Sequence, residues 1–159
     1  GPLIGVDARE RLEADIASAL DEGAELVLDG RGDGGPGAAE LGPTIIDRVA
    51  LDATAVREEL FGPVLTVVRA DDLDQAIGIA NRSRYGNASA IFTSSAEAAR
   101  EYRYRIAAGM VGVNIGVPAP IAWFPFAGWK DSMYGDLHAN GFDAIEFYTR
   151  TKVVTSRWR

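Results

Sequence analysis

The chain carries no cysteine and a single histidine, His138. Thiolate catalysis, disulfides and thiolate metal sites are therefore excluded for these 159 residues. A Ser-His-Asp triad would have to use His138, and no Gly-x-Ser-x-Gly turn presents a nucleophilic serine. With no second histidine nearby, His138 reads as a structural or surface residue, and no metal site is expected. The glycine-rich run 30–42 holds six glycines. A phosphate cradle would need a helix directly after it. Pro43-Thr44-Ile45-Ile46 follows instead and reads as a strand, so the run is a loop.

The densest apolar surface lies in the segment 115–132. Trp123, Phe124, Phe126 and Trp129 place four aromatic rings within seven residues, among Pro118, Pro120 and Pro125. Loops are usually polar and solvated. One this aromatic must pack on a core, a partner or a ligand. For Phe124 and Phe126, plain packing on a sheet and the wall of a ligand site are equally good readings. Lys130 reads as a surface or structural lysine, and Asn114 as a strand-end residue whose side chain orients the loop.

Hydrophobic periodicity supplies the elements that must hold these residues. Asp7 to Glu22 is an amphipathic helix with Leu12, Ile16, Ala19 and Leu20 on one stripe, capped by Asp7 and stopped by Gly23. Ala24 to Leu28 is a short strand, and Leu51 to Glu59 a helical turn. Val64 to Val68 is a β-branched strand. A helix capped by Asp71 or Asp72 runs to Tyr85-Gly86. Ser89 to Phe92 is a strand, Ser94 to Ala107 a helix capped by Ser94 with Glu97, and Met110 to Asn114 a strand. Strand and helix alternate from Val64 to Asn114, which favours a parallel sheet with right-handed crossovers. Ligands gather at the carboxyl ends of such strands, and Asn114 with its loop leaves from one of them. Gly141 to Phe147 forms a short helix. Tyr148 to Trp158 reads as a long terminal strand whose open edge calls for a second chain; a solvated tail is the bland alternative.

The composition is that of an ordinary globular domain, at 47% hydrophobic and 25% charged residues. A net charge of −7 argues against nucleic acid or an acidic membrane as partner. No segment approaches the length of a membrane span and no signal peptide opens the chain, so a cytoplasmic location is expected. Gly1-Pro2-Leu3-Ile4-Gly5 does not look like a natural start and reads as the interior of a longer protein.

Three segments, in order, carry a family resemblance. Glu58-Glu59-Leu60-Phe61-Gly62-Pro63-Val64 resembles the E-E-I-F-G-P-V segment of the aldehyde dehydrogenase superfamily. Pro125-Phe126-Ala127-Gly128-Trp129-Lys130-Asp131-Ser132 resembles its P-F-G-G-x-K-x-S segment, with Ala127 in place of a glycine. The opening Gly1-Pro2-Leu3-Ile4 resembles a segment that follows the catalytic cysteine shortly. Gly135-Asp136-Leu137-His138, Phe147-Tyr148-Thr149 and the run from Thr151 to Trp158 resemble the CoA-acylating methylmalonate-semialdehyde dehydrogenase branch.

The resemblance implies the later part of an α/β catalytic domain (residues 1–147) followed by a C-terminal oligomerisation strand (148–159). It implies a parent enzyme that oxidises malonate or methylmalonate semialdehyde, with NAD taking hydride and coenzyme A taking the acyl group from a cysteine thioester. Within it, Glu59 matches the glutamate that holds the nicotinamide ribose hydroxyls. A carboxylate suits a diol because it accepts two hydrogen bonds; read by itself, Glu59 is a solvated charge before a turn. Phe61 matches an aromatic beside the nicotinamide, where the bare reading is a core phenylalanine. Phe124 and Phe126 match the lining of the substrate tunnel. With nucleophile and dinucleotide fold both missing, this segment alone is expected to be inactive. It is also expected to self-associate through apolar sheet surface and the terminal strand. Two rivals are a free-standing, non-catalytic assembly module and a non-acylating aldehyde dehydrogenase.

Overall fold

A computed structural model describes residues 1–32 and 39–159. The chain divides into two compact units, Gly1–Asp72 and Leu73–Arg159. Both mix helices with strands, as the α/β reading requires.

In the first unit, helix α1 (Val6–Asp21) buries Leu12, Ile16 and Ala19 along the expected stripe. Its N-cap is Gly5 with no side-chain cap, so Asp7 sits inside the first turn rather than at the cap. There its charge still faces the positive end of the helix. Strand β1 (Glu25–Leu28) pairs antiparallel with β2 (Thr44–Asp47), and β2 pairs parallel with β3 (Val64–Thr66). The expected helical turn is the four-residue α2 (Thr54–Arg57). Leu12, Ile16, Ile46, Val49, Ala53 and Leu60 form one core.

The ends of the glycine run close on each other. Gly42 N–H donates to Gly30 O at 2.9 Å, and the buried Thr44 hydroxyl accepts from Gly30 N–H at 3.1 Å. The strand β2 follows directly, as the loop reading requires. The interior of the run, residues 33–38, lies outside the described residues.

In the second unit, α3 (Leu73–Arg82) ends earlier than its pattern predicts, because the next residues enter the two-residue strand β4 (Tyr85–Gly86). Strand β5 (Ala88–Ile91) pairs parallel with β6 (Met110–Val113), and α4 (Ala96–Arg105) is the crossover between them. The cap of α4 is Ser95, whose hydroxyl accepts from Ala98 N–H at 3.2 Å, one residue beyond the expected Ser94. Ile77, Tyr102, Ile106 and Ala108 form the core here.

Among the described residues, parallel pairing occurs between β2 and β3 in the first unit and between β5 and β6 in the second. A second antiparallel pair joins β4 to β7 (Trp129–Lys130). Helix α5 (Gly141–Tyr148) absorbs Tyr148, and residues 149–159 form no strand in the single chain and are exposed throughout. A strand needs a hydrogen-bonding neighbour, and among the described residues this segment has none. Among the described residues, no helix is long and apolar enough to cross a membrane.

Candidate functional site

The aromatic loop is built outward from the end of β6. Asn114 adopts φ of 57°, a left-handed conformation that asparagine tolerates better than most residues. Its carboxamide then acts as an extra peptide group. Oδ1 accepts from Thr93 N–H at 2.8 Å, and Nδ2 donates to Thr93 O at 3.0 Å. The β5–β6 ladder is thereby prolonged by one side chain, the structural role expected of Asn114.

The loop then folds back on the strand it left. A Cβ on Gly109 would lie 2.6 Å from the Ala127 carbonyl carbon and 2.6 Å from Gly128 N. A Cβ on Gly112 would lie 2.8 Å from Ile115 O. Glycine at these two positions lets backbone meet backbone. With the loop's main chain seated on β6, its rings remain outside. Trp123 is 81% exposed, Phe124 61% and Phe126 40%. Plain packing on the sheet, one reading of Phe124 and Phe126, therefore does not describe their place in this chain.

Ala127 lies outside the left-handed region, unlike Asn114 and Lys130. Alanine in place of the family glycine consequently brings no backbone strain. Lys130 has φ of 54°, and its ammonium donates to Asn81 O at 2.9 Å and Ser83 O at 2.8 Å. These carbonyls lie at the carboxyl end of α3, where a cation is favoured. Lys130 is thus a structural lysine that ties β7 to α3. Arg84 adds an ion pair with Asp131 at 2.9 Å.

Glu59 and Phe61 belong to the first unit, immediately after α2. Leu60 points into the core, whereas the residues on either side point out. The Glu59 side chain is exposed, and among the described residues it has no hydrogen-bond or ion-pair partner. Phe61 adopts φ of 46°, and its ring is 73% exposed. It therefore stands outside the core. The turn is held by Thr44 N–H donating to Pro63 O at 2.9 Å. An unengaged carboxylate and a bare aromatic ring stand two residues apart. That pair can accept two hydroxyl hydrogen bonds and offer a flat apolar surface.

One feature was not anticipated. An open groove of about 430 Å³ lies at the end of the second unit, lined by Met133, Leu137, His138, Asn140, Phe147 and Tyr148 among others. At its rim the Asp143 carboxylate accepts from His138 N–H at 3.2 Å and lies 2.9 Å from His138 Nδ1. Hydrogen bonding from His138 holds the Asp143 carboxyl below the usual aspartate range. The sequence signal was present. An aspartate in the third position of a helix that opens at Gly141 can reach back to the preceding turn.

A family model for the aldehyde dehydrogenase family matches residues 1–154. The chain belongs to the aldehyde dehydrogenase family. Along 99% of its length it is 52% identical to malonate-semialdehyde dehydrogenase 2 of Bacillus thuringiensis strain Al Hakam, of which it covers 33%. The crystal structure of methylmalonate-semialdehyde dehydrogenase from Oceanimonas doudoroffii superposes on all of this chain with a TM-score of 0.94 at 44% identity. The chain covers 33% of that structure. A putative methylmalonate-semialdehyde dehydrogenase from Sinorhizobium meliloti 1021, complexed with NAD, superposes with a TM-score of 0.95 at 42% identity over 100% of this chain and 33% of its own. The resemblance read from the motifs thus holds at the level of family and of its semialdehyde-oxidising relatives. The chain spans about a third of the length of these proteins.

Proposed function

We propose that this chain is a portion of an NAD-dependent dehydrogenase that oxidises malonate or methylmalonate semialdehyde to the corresponding acyl-CoA. The observation that carries the reading is the high identity with malonate-semialdehyde dehydrogenases along nearly the whole chain. The outward-facing Glu59 and Phe61, and the outward-facing Phe124 and Phe126, support it.

NAD, when bound, accepts the hydride released from the aldehyde carbon. Glu59 fits that cofactor because its free carboxylate can accept both hydroxyls of a ribose, and Phe61 offers a ring for a neighbouring flat group. Phe124 and Phe126 shape an apolar wall that selects and orients a short semialdehyde and excludes water from it. The nucleophile that carries the acyl group to coenzyme A is a cysteine supplied outside these residues. This chain therefore positions reactants and does not bond to them. The terminal segment 149–159 pairs with a second copy as a strand, which would satisfy the backbone groups that the single chain leaves exposed.

Steady-state kinetics of the full-length protein test this. Glu59→Gln should raise the KM for NAD about tenfold, the size expected for losing a charge-assisted hydrogen bond. It should leave the KM for semialdehyde unchanged. Acyl-CoA should be the product, and the 159-residue chain alone should form no NADH. An unchanged KM for NAD, or free acid as the product with CoA present, would overturn the corresponding part of the reading.

A further inference from the structure

The aromatic loop is pinned at two points to one short segment. Phe126 N–H donates to Ala139 O at 2.7 Å, and Gly141 N–H donates to Ala122 O at 3.1 Å. The residues between these bonds are Trp123, Phe124 and Pro125, so the exposed rings hang from two hydrogen bonds to residues 139–141. That segment is an awkward piece of backbone. Asn140 has φ of 71° and Gly141 φ of 60°, two consecutive residues at positive φ where α5 begins. A Cβ on Gly141 would lie 3.0 Å from Trp123 O, so the two backbones are in close contact.

The segment is held on one side by helix α5 and on the other by a single carboxylate. Asp143 lies in the first turn of α5 and reaches back across Asn140 to the main-chain N–H and the ring Nδ1 of His138. The Asn140 side chain makes no cap bond to the helix. The His138–Asp143 bridge therefore closes the six-residue turn 138–143, which presents Ala139 O and Gly141 N–H to the loop.

We infer that Asp143 and His138 are positioning residues for the substrate wall: their bridge sets the turn 139–141, and the turn sets Phe124 and Phe126. The inference rests on the reading of Phe124 and Phe126 as that wall. The bridge itself stands independently of it. The lowered pKa of Asp143 agrees, since side-chain and main-chain hydrogen bonding from His138 is what lowers it.

Two measurements on the full-length protein separate the bridge from the wall. Amide hydrogen exchange reads the pins directly. In Asp143→Ala, the amides of Phe126 and Gly141 should exchange about tenfold faster, while those of Met110 and Asn114, which donate to Asn87 O and Ile91 O along the β5 edge of β6, keep their protection. His138→Ala retains its main-chain donor and should show a smaller change. His138→Asn places an amide nitrogen near the position of Nδ1 and should restore most of the protection. In kinetics, Asp143→Ala should raise the KM for semialdehyde about tenfold, with the KM for NAD unchanged.

Unchanged exchange at Phe126 and Gly141 would overturn the bridge. So would an equal loss of protection along β6, which would mean general loosening, or a His138→Asn variant no better than His138→Ala. Faster exchange at the pins with an unaltered KM for semialdehyde would leave the bridge standing and overturn its role in the wall. If the unsubstituted protein oxidises no semialdehyde, the proposed function fails, and the exchange data still decide the bridge.

Discussion

The two units use apolar residues in opposite ways. Residues 1–72 gather theirs around α1 and β2, where Leu12, Ile16 and Ile46 are fully buried. Residues 73–159 bury a smaller set around Ile77, Tyr102 and Ile106, and leave Trp123, Phe124, Trp129, Phe142, Phe147 and Trp158 among many outside. Hydrophobic groups in water are costly, so an apolar patch of this extent marks a surface meant to be covered. The first unit has the larger core, although Val27, Phe61 and Leu65 stay outside it. The second leaves more of its large rings in water, and the chain spans only a third of its relatives' length.

The largest effect should come from the larger core. Ile46→Ala removes a side chain with no solvent exposure from β2, against Leu12 and Ile16. It should cost about 2–5 kcal/mol of folding stability, read as a fall in denaturant midpoint. A loss below that range would mean that the first unit is no better packed than the second.

In the second unit the sensitive feature is backbone rather than side-chain packing. Gly109→Ala puts a methyl 2.6 Å from the carbonyl carbon of Ala127. Neither strand nor loop can yield without unseating the other, so the cost should be about 1–3 kcal/mol. Hydrogen exchange should show the loss in β6 and the segment 126–128. A neutral substitution would mean that the loop does not lie on the strand.

Acid should separate the units further. Asp47 in β2 is nearly buried and makes a two-point ion pair with Arg69, with Nε to Oδ1 at 3.0 Å. The Arg69 guanidinium, aided by Arg48 N–H at 2.7 Å, holds its carboxyl below the usual aspartate range against the opposing effect of burial. A depressed folded pKa means that the unfolded chain binds the proton more readily. The pair therefore contributes fully above the ordinary aspartate pKa of about 3.9. Its contribution fades as pH falls through the lower folded value. Melting temperature should drop across that window, and Asp47→Asn should flatten the drop. An unchanged acid profile in Asp47→Asn would remove the pair from the account.

The same contrast governs how much was legible in the residues. The stripe of α1, the crossover α4 and the strand β6 are written as local periodicity, and they appear where that periodicity puts them. Caps shifted by a residue where candidates stand side by side, as at Ser94-Ser95. The pair β4–β7 has two residues a side and carries no period to detect. Alternation favours parallel pairing, which β2–β3 and β5–β6 show, but it does not say which strands are neighbours. The run 149–159 alternates loosely but forms no strand, because among the described residues no strand lies beside it. At the candidate site the residue types were readable, and so were the roles of Asn114 and Lys130. The link from Asp143 through His138 to the aromatic loop was not, because it joins residues whose proximity depends on two left-handed turns.

The smallest effect on folding should come from the residues that look most important. Trp123 and Phe124 touch little of their own unit, so Trp123→Ser with Phe124→Ser should change the stability of the chain by only about 0.5 kcal/mol or less. The same substitutions remove two of the largest rings from the uncovered surface, and should weaken self-association of the isolated chain. Sedimentation velocity over a range of concentrations reads this. If the double variant unfolds as readily as Ile46→Ala, the rings belong to a core after all and the two units do not differ in kind. If stability holds and association is untouched, the surface that needs covering lies elsewhere in the unit, with the ring pair Phe147 and Tyr148 of α5 next to be changed.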